Sequence, residues 1–374
     1  EKYQLQSQKI LSQKKLTPSQ QLTKYDYWVD YPHWISTSAP DGDKKNKIAV
    51  RVYTPHSYPF IQIINPLSPS LPFTPRSTEN QTPQTQPLIK RVYGSGSSFD
   101  ITADGSKIIY AKLDDYEQFY KFYDLYLFDL KTKKETRLSE GLRARDPSWS
   151  PDPDPDNPQI VAVINQSGTN NLALINLPSS SSSINENQPT YKLISKKDIV
   201  YLTNFRDGTQ LSQPTWSPNG DRIAFSAWRQ GYQDIYILNL DSDNIGNSTL
   251  QPIFYDKFID LSPCWSPDGH YLFFSSDRTG IYNIFTFSLS DKKLYQITNV
   301  LGGAFQPAIS PDGTQLAFTS YHATGYELHL MEISLTNPDP SKWAEIEIKY
   351  TEPPIVATQQ FNKDLNASSN SENN

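Results

Sequence analysis

A short turn motif recurs along the chain, and no other feature constrains the fold so tightly. Pro214-Thr-Trp-Ser-Pro-Asn-Gly220, Pro263-Cys-Trp-Ser-Pro-Asp-Gly269 and Pro307-Ala-Ile-Ser-Pro-Asp-Gly313 are near copies of one another. A fourth copy, Pro147-Ser-Trp-Ser-Pro-Asp152, runs on into Pro-Asp-Pro-Asp instead of closing on glycine. A degraded fifth reads Ser98-Phe-Asp-Ile-Thr-Ala-Asp-Gly105, and a sixth is split between Pro32-His-Trp34 and Ala39-Pro-Asp-Gly42. With Trp34, Ile101, Trp149, Trp216, Trp265 and Ile309 taken as equivalent, the intervals are 67, 48, 67, 49 and 44 residues. A propeller blade needs roughly 40–50 residues, and both long intervals hold low-complexity insertions.

The unit beginning at Pro263 shows the physics. A short strand ends at Trp265, and Ser-Pro-Asp-Gly makes a tight turn. Proline presets φ, aspartate bonds back to the backbone, and glycine accepts positive φ. Tyr271–Ser276 is an aromatic second strand, Asp277–Gly280 a loop, Ile281–Phe287 the third strand and Leu294–Thr298 the fourth. Second strands recur at Ile108–Tyr110, Ile160–Ile164, Ile223–Phe225 and Leu316–Phe318. Third strands recur at Leu125–Phe128, Leu172–Ile175, Ile235–Leu238 and Leu328–Met331. The first unit supplies Ile48–Val52, Phe60–Ile64 and Leu88–Val92, and alternating Ala344–Ile348 reads as the last unit's outer edge strand. Six units of four antiparallel strands predict an all-β, six-bladed β-propeller. A sandwich would need the turns to coincide by chance, and a solenoid would need more uniform units.

The expected organisation is a helical lead-in or the remnant of a preceding domain over 1–23, the propeller over 24–352 and a disordered tail over 353–374. Leu5, Ile10, Leu11 and Leu16 among Gln and Lys suit an amphipathic helix ending before Pro18. Residues 66–87 and 179–189 are rich in Pro, Ser, Thr and Gln and read as disordered excursions. Their place is between a blade's third and fourth strands. The chain opens on Glu1 and has one methionine, Met331, so it reads as a mature form or an excised piece. A net charge of −6 offers no basic field for nucleic acid or anionic membrane, and no apolar run is long enough for a helical span. A monomer is expected.

The chemistry-bearing residues are sparse. A single cysteine, Cys264, excludes an internal disulfide and reads as a buried thiol beside Trp265. The motif tryptophans read as packing between blades. His33, His56, His270, His322 and His329 never form His-Glu-x-x-His. Gly94-Ser-Gly-Ser-Ser98 precedes a strand and lacks the strand-to-helix setting of a nucleophile elbow. The prolines of Asp152-Pro-Asp-Pro-Asp156 hold its carboxylates apart, against convergence on a calcium ion. No catalytic residue, cofactor or metal is therefore assigned. Carboxylates from different blades could meet at a channel mouth without any signature along the chain.

The turns, together with Ile223-Ala-Phe-Ser226, Asp277-Arg-Thr-Gly280 and Asn283-Ile-Phe285, resemble TolB-like propeller repeats over roughly residues 30–350. That resemblance implies a non-catalytic interaction scaffold in the bacterial periplasm or cell envelope, with an envelope protein or peptide as partner. Leu142–Asp146 and Asn299–Phe305 resemble a narrower set of envelope proteins in which such a propeller follows a metallopeptidase-like region. An accessory propeller of a larger peptidase, and a glycan-acting propeller enzyme, are the alternatives. The compact N-terminal α/β domain of TolB has no counterpart in the chain.

In a blade running from channel to rim, the loops joining strand four to the next strand one share a face with the strand two–three loops. Asp114–Tyr123 contributes Tyr116, Phe119, Tyr120, Phe122 and Tyr123 to that face. Arg143, Arg145, Trp228, Arg229, Arg278 and Phe305 lie in the neighbouring loops. Aromatics and arginines dominate interface hot spots, so this is the expected partner-binding face.

Overall fold

The computed structural model describes residues 16–23, 28–38, 44–54, 57–66, 89, 98–151 except 103, 158–180 except 178, 190–335 except 230, 242 and 324, and 343–348. The readings for the helix over 1–15, most of the first insertion, the Gly94 string before Ser98, the acidic run 152–156, the serine tract over 181–189 and the tail lie outside these residues. Apart from two three-residue 3-10 turns, Lys196–Asp198 and Ile245–Asn247, the regular structure is all strand. Two compact units divide the chain, residues 94–257 with 349–374, and residues 1–93 with 258–348.

The 94–257 unit holds three four-stranded antiparallel sheets, each laid down in chain order. The first comprises Phe99–Ile101, Lys107–Tyr116, Tyr120–Asp129 and Lys134–Arg137; the second Ala144–Trp149, Gln159–Gln166, Thr169–Asn176 and Ile199–Tyr201. Gln210–Trp216, Arg222–Arg229, Tyr232–Asn239 and Thr249–Pro252 make the third. Ile160-Val-Ala-Val-Ile164 is apolar without alternation because both of its faces are covered. Its odd and even residues enter different cores, Val161 and Val163 packing with Phe225 and Leu238, Ile160 and Ala162 with Ile109 and Leu125. Ser179–Ser180 pairs with Thr190–Tyr191 at the foot of the serine tract.

The other unit repeats the plan. Asp260–Trp265, Tyr271–Ser276, Asn283–Ser288 and Leu294–Gln296 form one sheet. Ala304–Ile309, Gln315–His322 and Gly325–Glu332 form a meander, joined through one parallel bridge, Trp28 to Tyr326, to the meander Trp28–Ser38, Lys44–Thr54 and Ser57–Ile64. Ile89 bridges Ile61 where a fourth strand is expected.

Three local devices recur. In the turn motif the glycine amide bonds back three residues, Gly220 to Ser217, Gly269 to Ser266 and Gly313 to Ser310. Those glycines hold φ of 72°, 69° and 71°, which an L-side chain resists. The second device is a bulge in the first strand. The residue before the motif proline is left-handed in five units: Tyr31, Asp146, Gln213, Ser262 and Gln306, with φ between 51° and 56°. Each sits at or beside a break in strand register, as an inserted residue requires. Several of the amides are received by a polar side chain of the preceding sheet: Tyr31 N–H by Gln306 Oε1 (3.0 Å), Gln213 N–H by Asp146 Oδ2 (3.3 Å) and Gln306 N–H by Ser275 Oγ (3.0 Å).

The third device fastens the fourth strand. Asp124, Asn171 and Asn283 are buried on their third strands, and each accepts a hydrogen bond from a hydroxyl farther along the chain: Ser139, Thr203 and Thr298. The same hydroxyls accept the amides of Leu125, Leu172 and Ile284. The residue before each hydroxyl, Leu138, Leu202 or Ile297, bonds through its amide to the same third strand.

This device corrects two expectations. Thr23 accepts the amide of Leu328 and donates to Glu327, and Leu22 N–H bonds Leu328 O, so the N-terminal segment is the last unit's fourth strand. Residues 16–23 are extended rather than helical, with Gln20–Gln21 paired to Leu330 and His329. The edge assigned to Ala344–Ile348 is therefore occupied. Trp343, 6% exposed, instead packs against Tyr271, Phe273 and Tyr295, and Ala344–Ile346 adds a fifth strand to Leu294–Gln296. The tryptophan reading holds for Trp34, Trp149 and Trp216, which pack against cores shared with the preceding sheet. Trp34 and Trp216 also donate to its first strand at Ala308 O and Ser148 O. Cys264 is half-buried, its thiol in no disulfide and 3.6 Å from Trp265 O.

Candidate interaction surface

The aromatic stretch read as a loop is a hairpin. Its strands run in register to Tyr116 opposite Tyr120, leaving only Glu117, Gln118 and Phe119 at the tip. Glu117 and Gln118 both hold positive φ, 49° and 66°, and Phe119 N–H bonds Tyr116 O. A tight turn of this hand favours Asn-Gly, so two ordinary side chains here carry strain of about 1–2 kcal/mol each. The turn thrusts Phe119 outward at 86% exposure, with Tyr120 at 55%.

Strand alternation sorts the remaining rings. Tyr120 and Phe122 share one face and stack at 5.8 Å with planes 3° apart, while Tyr116 tilts against Phe122 at 5.6 Å. The Arg143 guanidinium lies 4.0 Å from the Phe122 ring centre, a cation–π contact at an exposed position. Tyr123 faces the other way and packs on the core of Leu125, Ala144 and Ile164, so it is a packing residue. The Tyr116 ring closes over Gly141, where an added Cβ would meet it at 2.5 Å. That glycine loop is pinned by the buried Asp124 carboxylate, which accepts from Gly141 N (3.0 Å), Leu142 N (3.1 Å), Ser139 Oγ (2.8 Å) and Arg137 Nη2 (2.8 Å). The Glu117 charge, its hydrogen bond and slight desolvation raise the Tyr116 phenol above its ordinary range. Burial works to raise the Asp114 carboxyl, but the bond from Tyr126, the Asp115 amide and the Arg137 and Lys112 charges hold it below the usual range.

The other arginines are structural. Arg145 donates to Leu211 O at 2.7 Å and lies 3.5 Å from Asp146. Arg229 is 5% exposed, pairs with Asp207 at 2.8 Å and lies by the Phe205 ring. Arg278, also 5% exposed, grips both oxygens of Asp260 (2.8 and 2.7 Å) and takes Ser276 Oγ at 2.9 Å. Arg229 and Arg278 are thus corrected from partner-binding to internal ion pairs. Trp228 stays half exposed at a strand end, opposite Gln210 and Gln233.

Phe305 belongs to an aromatic cluster in the other unit, between Tyr282 (4.9 Å) and Tyr326 (5.7 Å), with Tyr326 in turn against Tyr321 and Trp28. Trp28 is 54% exposed. The sequence reading missed Trp28, Tyr282, Tyr321 and Tyr326, because the strands carrying them are distant in the chain. Gly302 is the local signal: a Cβ there would lie 2.0 Å from Tyr321 O, so only glycine lets this loop reach the cluster.

Among the described residues no His-Glu-x-x-His or elbow serine is assembled. Ser19, His329 and His322 are linked in series, Ser19 Oγ to His329 Nδ1 at 3.0 Å and Nε2 to Nε2 at 2.9 Å. Burial and the His322 charge push His329 down to about 4, a poor general base at neutral pH.

Comparison with known families matches residues 190–347 to the TolB beta propeller domain. Among solved structures, a protein of unknown function from Dyadobacter fermentans is 12% identical, covering 85% of this chain and 99% of that one with a TM-score of 0.51. At that identity the likeness shows the fold alone. A putative TolB from Agrobacterium tumefaciens is 19% identical, covering 67% of this chain and 80% of its own, TM-score 0.47. An oligogalacturonate lyase in complex with manganese is 12% identical over 84% of this chain and 93% of its own, TM-score 0.48. No curated protein matches. No helix among the described residues is long and apolar enough to cross a membrane, which says nothing of β-barrels.

Proposed function

With residues 190–347 carrying TolB-type propeller repeats, we propose that the chain is a six-bladed TolB-like propeller acting as a non-catalytic protein-interaction scaffold in the bacterial cell envelope. Six turn motifs, and three successively packed sheets or meanders in each unit, support the blade number. The observation that carries the interaction reading is the hairpin tip. It spends strain on Glu117 and Gln118 to present Phe119, beside the Tyr120–Phe122 stack and Arg143. Strain persists where surrounding structure over-determines it, and it concentrates at functional sites. Large rigid rings with one cation make a hot spot for a protein or peptide partner.

The test replaces Phe119, Tyr120 and Arg143 together with alanine. All three lie at the surface, so the melting temperature should stay within about 5 °C of wild type, since exposed substitutions typically shift stability by no more than about 0.5 kcal/mol each. Capture of envelope proteins by the variant should fall at least about tenfold, a loss of ~1.4 kcal/mol. Equal capture by both proteins would refute the face. Turnover in a hydrolase screen, abolished by a single carboxylate substitution, would refute the non-catalytic role.

A further inference from the structure

The two histidines outside the proposed surface have a geometry that the fold does not need. His322 ends the strand Gln315–His322, opposite Gly325, and His329 lies on the paired strand Gly325–Glu332, opposite Phe318; their side chains reach each other along the sheet. Their Nε2 atoms are 2.9 Å apart, and their ring planes differ by 18° with centres 5.0 Å apart. His329 is 8% exposed, whereas His322 is half-buried and open to solvent on one side. In the metal-free protein the two Nε2 atoms face each other across this hydrogen bond; once its proton is gone, they stand as two nitrogen donors side by side.

We propose that His322 and His329 form a two-imidazole site for a late first-row divalent transition-metal ion, copper(II) foremost. A metal–imidazole nitrogen bond is about 2.0–2.1 Å long. Two nitrogens 2.9 Å apart then subtend roughly 90° at the ion, the cis angle of a square-planar or tetragonal centre. A tetrahedral ion would ask for a wider separation, roughly 3.3 Å at the same bond length. Imidazole donors in tetragonal geometry select copper(II) or nickel(II), and copper(II) heads the affinity order. Solvent completes the coordination on the open His322 side.

The surroundings prepare His329 as a ligand. Ser19 Oγ, on the N-terminal strand, holds its Nδ1 at 3.0 Å. With the Nδ1 proton donated to that hydroxyl, the Nε2 lone pair faces outward, and such an outer partner fixes tautomer and ring orientation in metal sites. In the metal-free protein one proton lies between the two Nε2 atoms. Metal binding moves it to Nδ1 of His322, or releases it to solvent where His322 is charged, and frees both lone pairs.

Copper(II) titration of the EDTA-treated full chain, followed by calorimetry and electron paramagnetic resonance, tests this. The expected result is one tight equivalent with a tetragonal signal split by two nitrogens. His322→Ala, at a partly exposed strand end, should keep the wild-type melting temperature, lose the two-nitrogen pattern and weaken binding at least about tenfold. Ser19→Ala should weaken it about tenfold, the lower end for removing an outer-sphere partner. His270→Ala, an exposed histidine outside the pair, should change nothing. Absence of a stoichiometric equivalent would overturn the proposal and leave the pair as a plain imidazole–imidazole hydrogen bond. So would a two-nitrogen signal that survives His322→Ala.

Discussion

Replacing Thr23 with valine removes one oxygen and almost nothing else. The Thr23 hydroxyl accepts the Leu328 amide at 2.9 Å and donates to Glu327, and all three residues are buried. Valine has the same shape, so packing of Leu22 in the core with Leu328 and Leu330 should persist. The Leu328 amide would lose its acceptor, a desolvation cost of about 1–3 kcal/mol, and Glu327 would lose a donor to a charged group, about 1.5–3 kcal/mol. A net loss of about 3–5 kcal/mol follows, with partial relaxation. Thr23→Ser keeps the hydroxyl and loses one methyl group, about 0.8 kcal/mol. Thr298→Val removes the equivalent bonds to Ile284 and the neutral Asn283, and should cost less than Thr23→Val. Urea unfolding gives the energies, and hydrogen exchange at the Leu22 amide reports whether the N-terminal strand detaches first. If Thr23→Val lies within about 1 kcal/mol of Thr23→Ser, the N-terminal segment is not holding the last unit as its fourth strand.

Three further outcomes are expected. Gln118→Gly at the hairpin tip should stabilise by about 0.5 kcal/mol, as relief of about 1–2 kcal/mol of left-handed strain exceeds about 0.5–1 kcal/mol of added chain entropy; a destabilised variant in thermal melts would contradict the strain assignment. Trp265→Ala, at a position 6% exposed, should cost roughly 3–5 kcal/mol in urea unfolding, and a loss below about 1 kcal/mol would show that the ring is not anchoring its sheet. His329 titrates at about 4 in the folded chain against 6.5 unfolded, so the unfolded state takes up the proton first as pH falls. Stability should therefore decline from pH 6.5 towards pH 4, by an amount on the order of 3 kcal/mol, and melting curves in EDTA should show a shallower decline for His329→Asn; parallel curves would refute it.

The turn motif made the repeated sheets legible, because proline, aspartate and glycine state their backbone geometry in the sequence. The five left-handed bulges were not legible: Tyr31, Asp146, Gln213, Ser262 and Gln306 have only the proline that follows them in common, and their conformation comes from the strand pairing around them. The N-terminal strand did leave a signal. Gln21-Leu-Thr23 repeats the pattern of Gln296-Ile-Thr298, Tyr201-Leu-Thr203 and Arg137-Leu-Ser139, and lies at the opposite end of the chain from its sheet. In the hairpin, strand alternation from Leu125 and Leu127 back to Tyr123 turns that ring inward and leaves Tyr120 and Phe122 on the other face. The arginines were opaque for a different reason. Asp207 lies 22 residues before Arg229 and Asp260 18 before Arg278, so only the folded sheet shows that these cations are already neutralised.

Site-specific photocrosslinking in intact cells that produce the chain tests the scaffold reading most directly. A photoreactive phenylalanine analogue would stand at Phe119, 86% exposed, or at Leu193, 50% exposed and outside the hairpin. A discrete protein adduct is expected from position 119 that position 193 does not give, and that disappears when Tyr120 and Arg143 are also replaced with alanine. No adduct from position 119, or the same adducts from both positions, would contradict it.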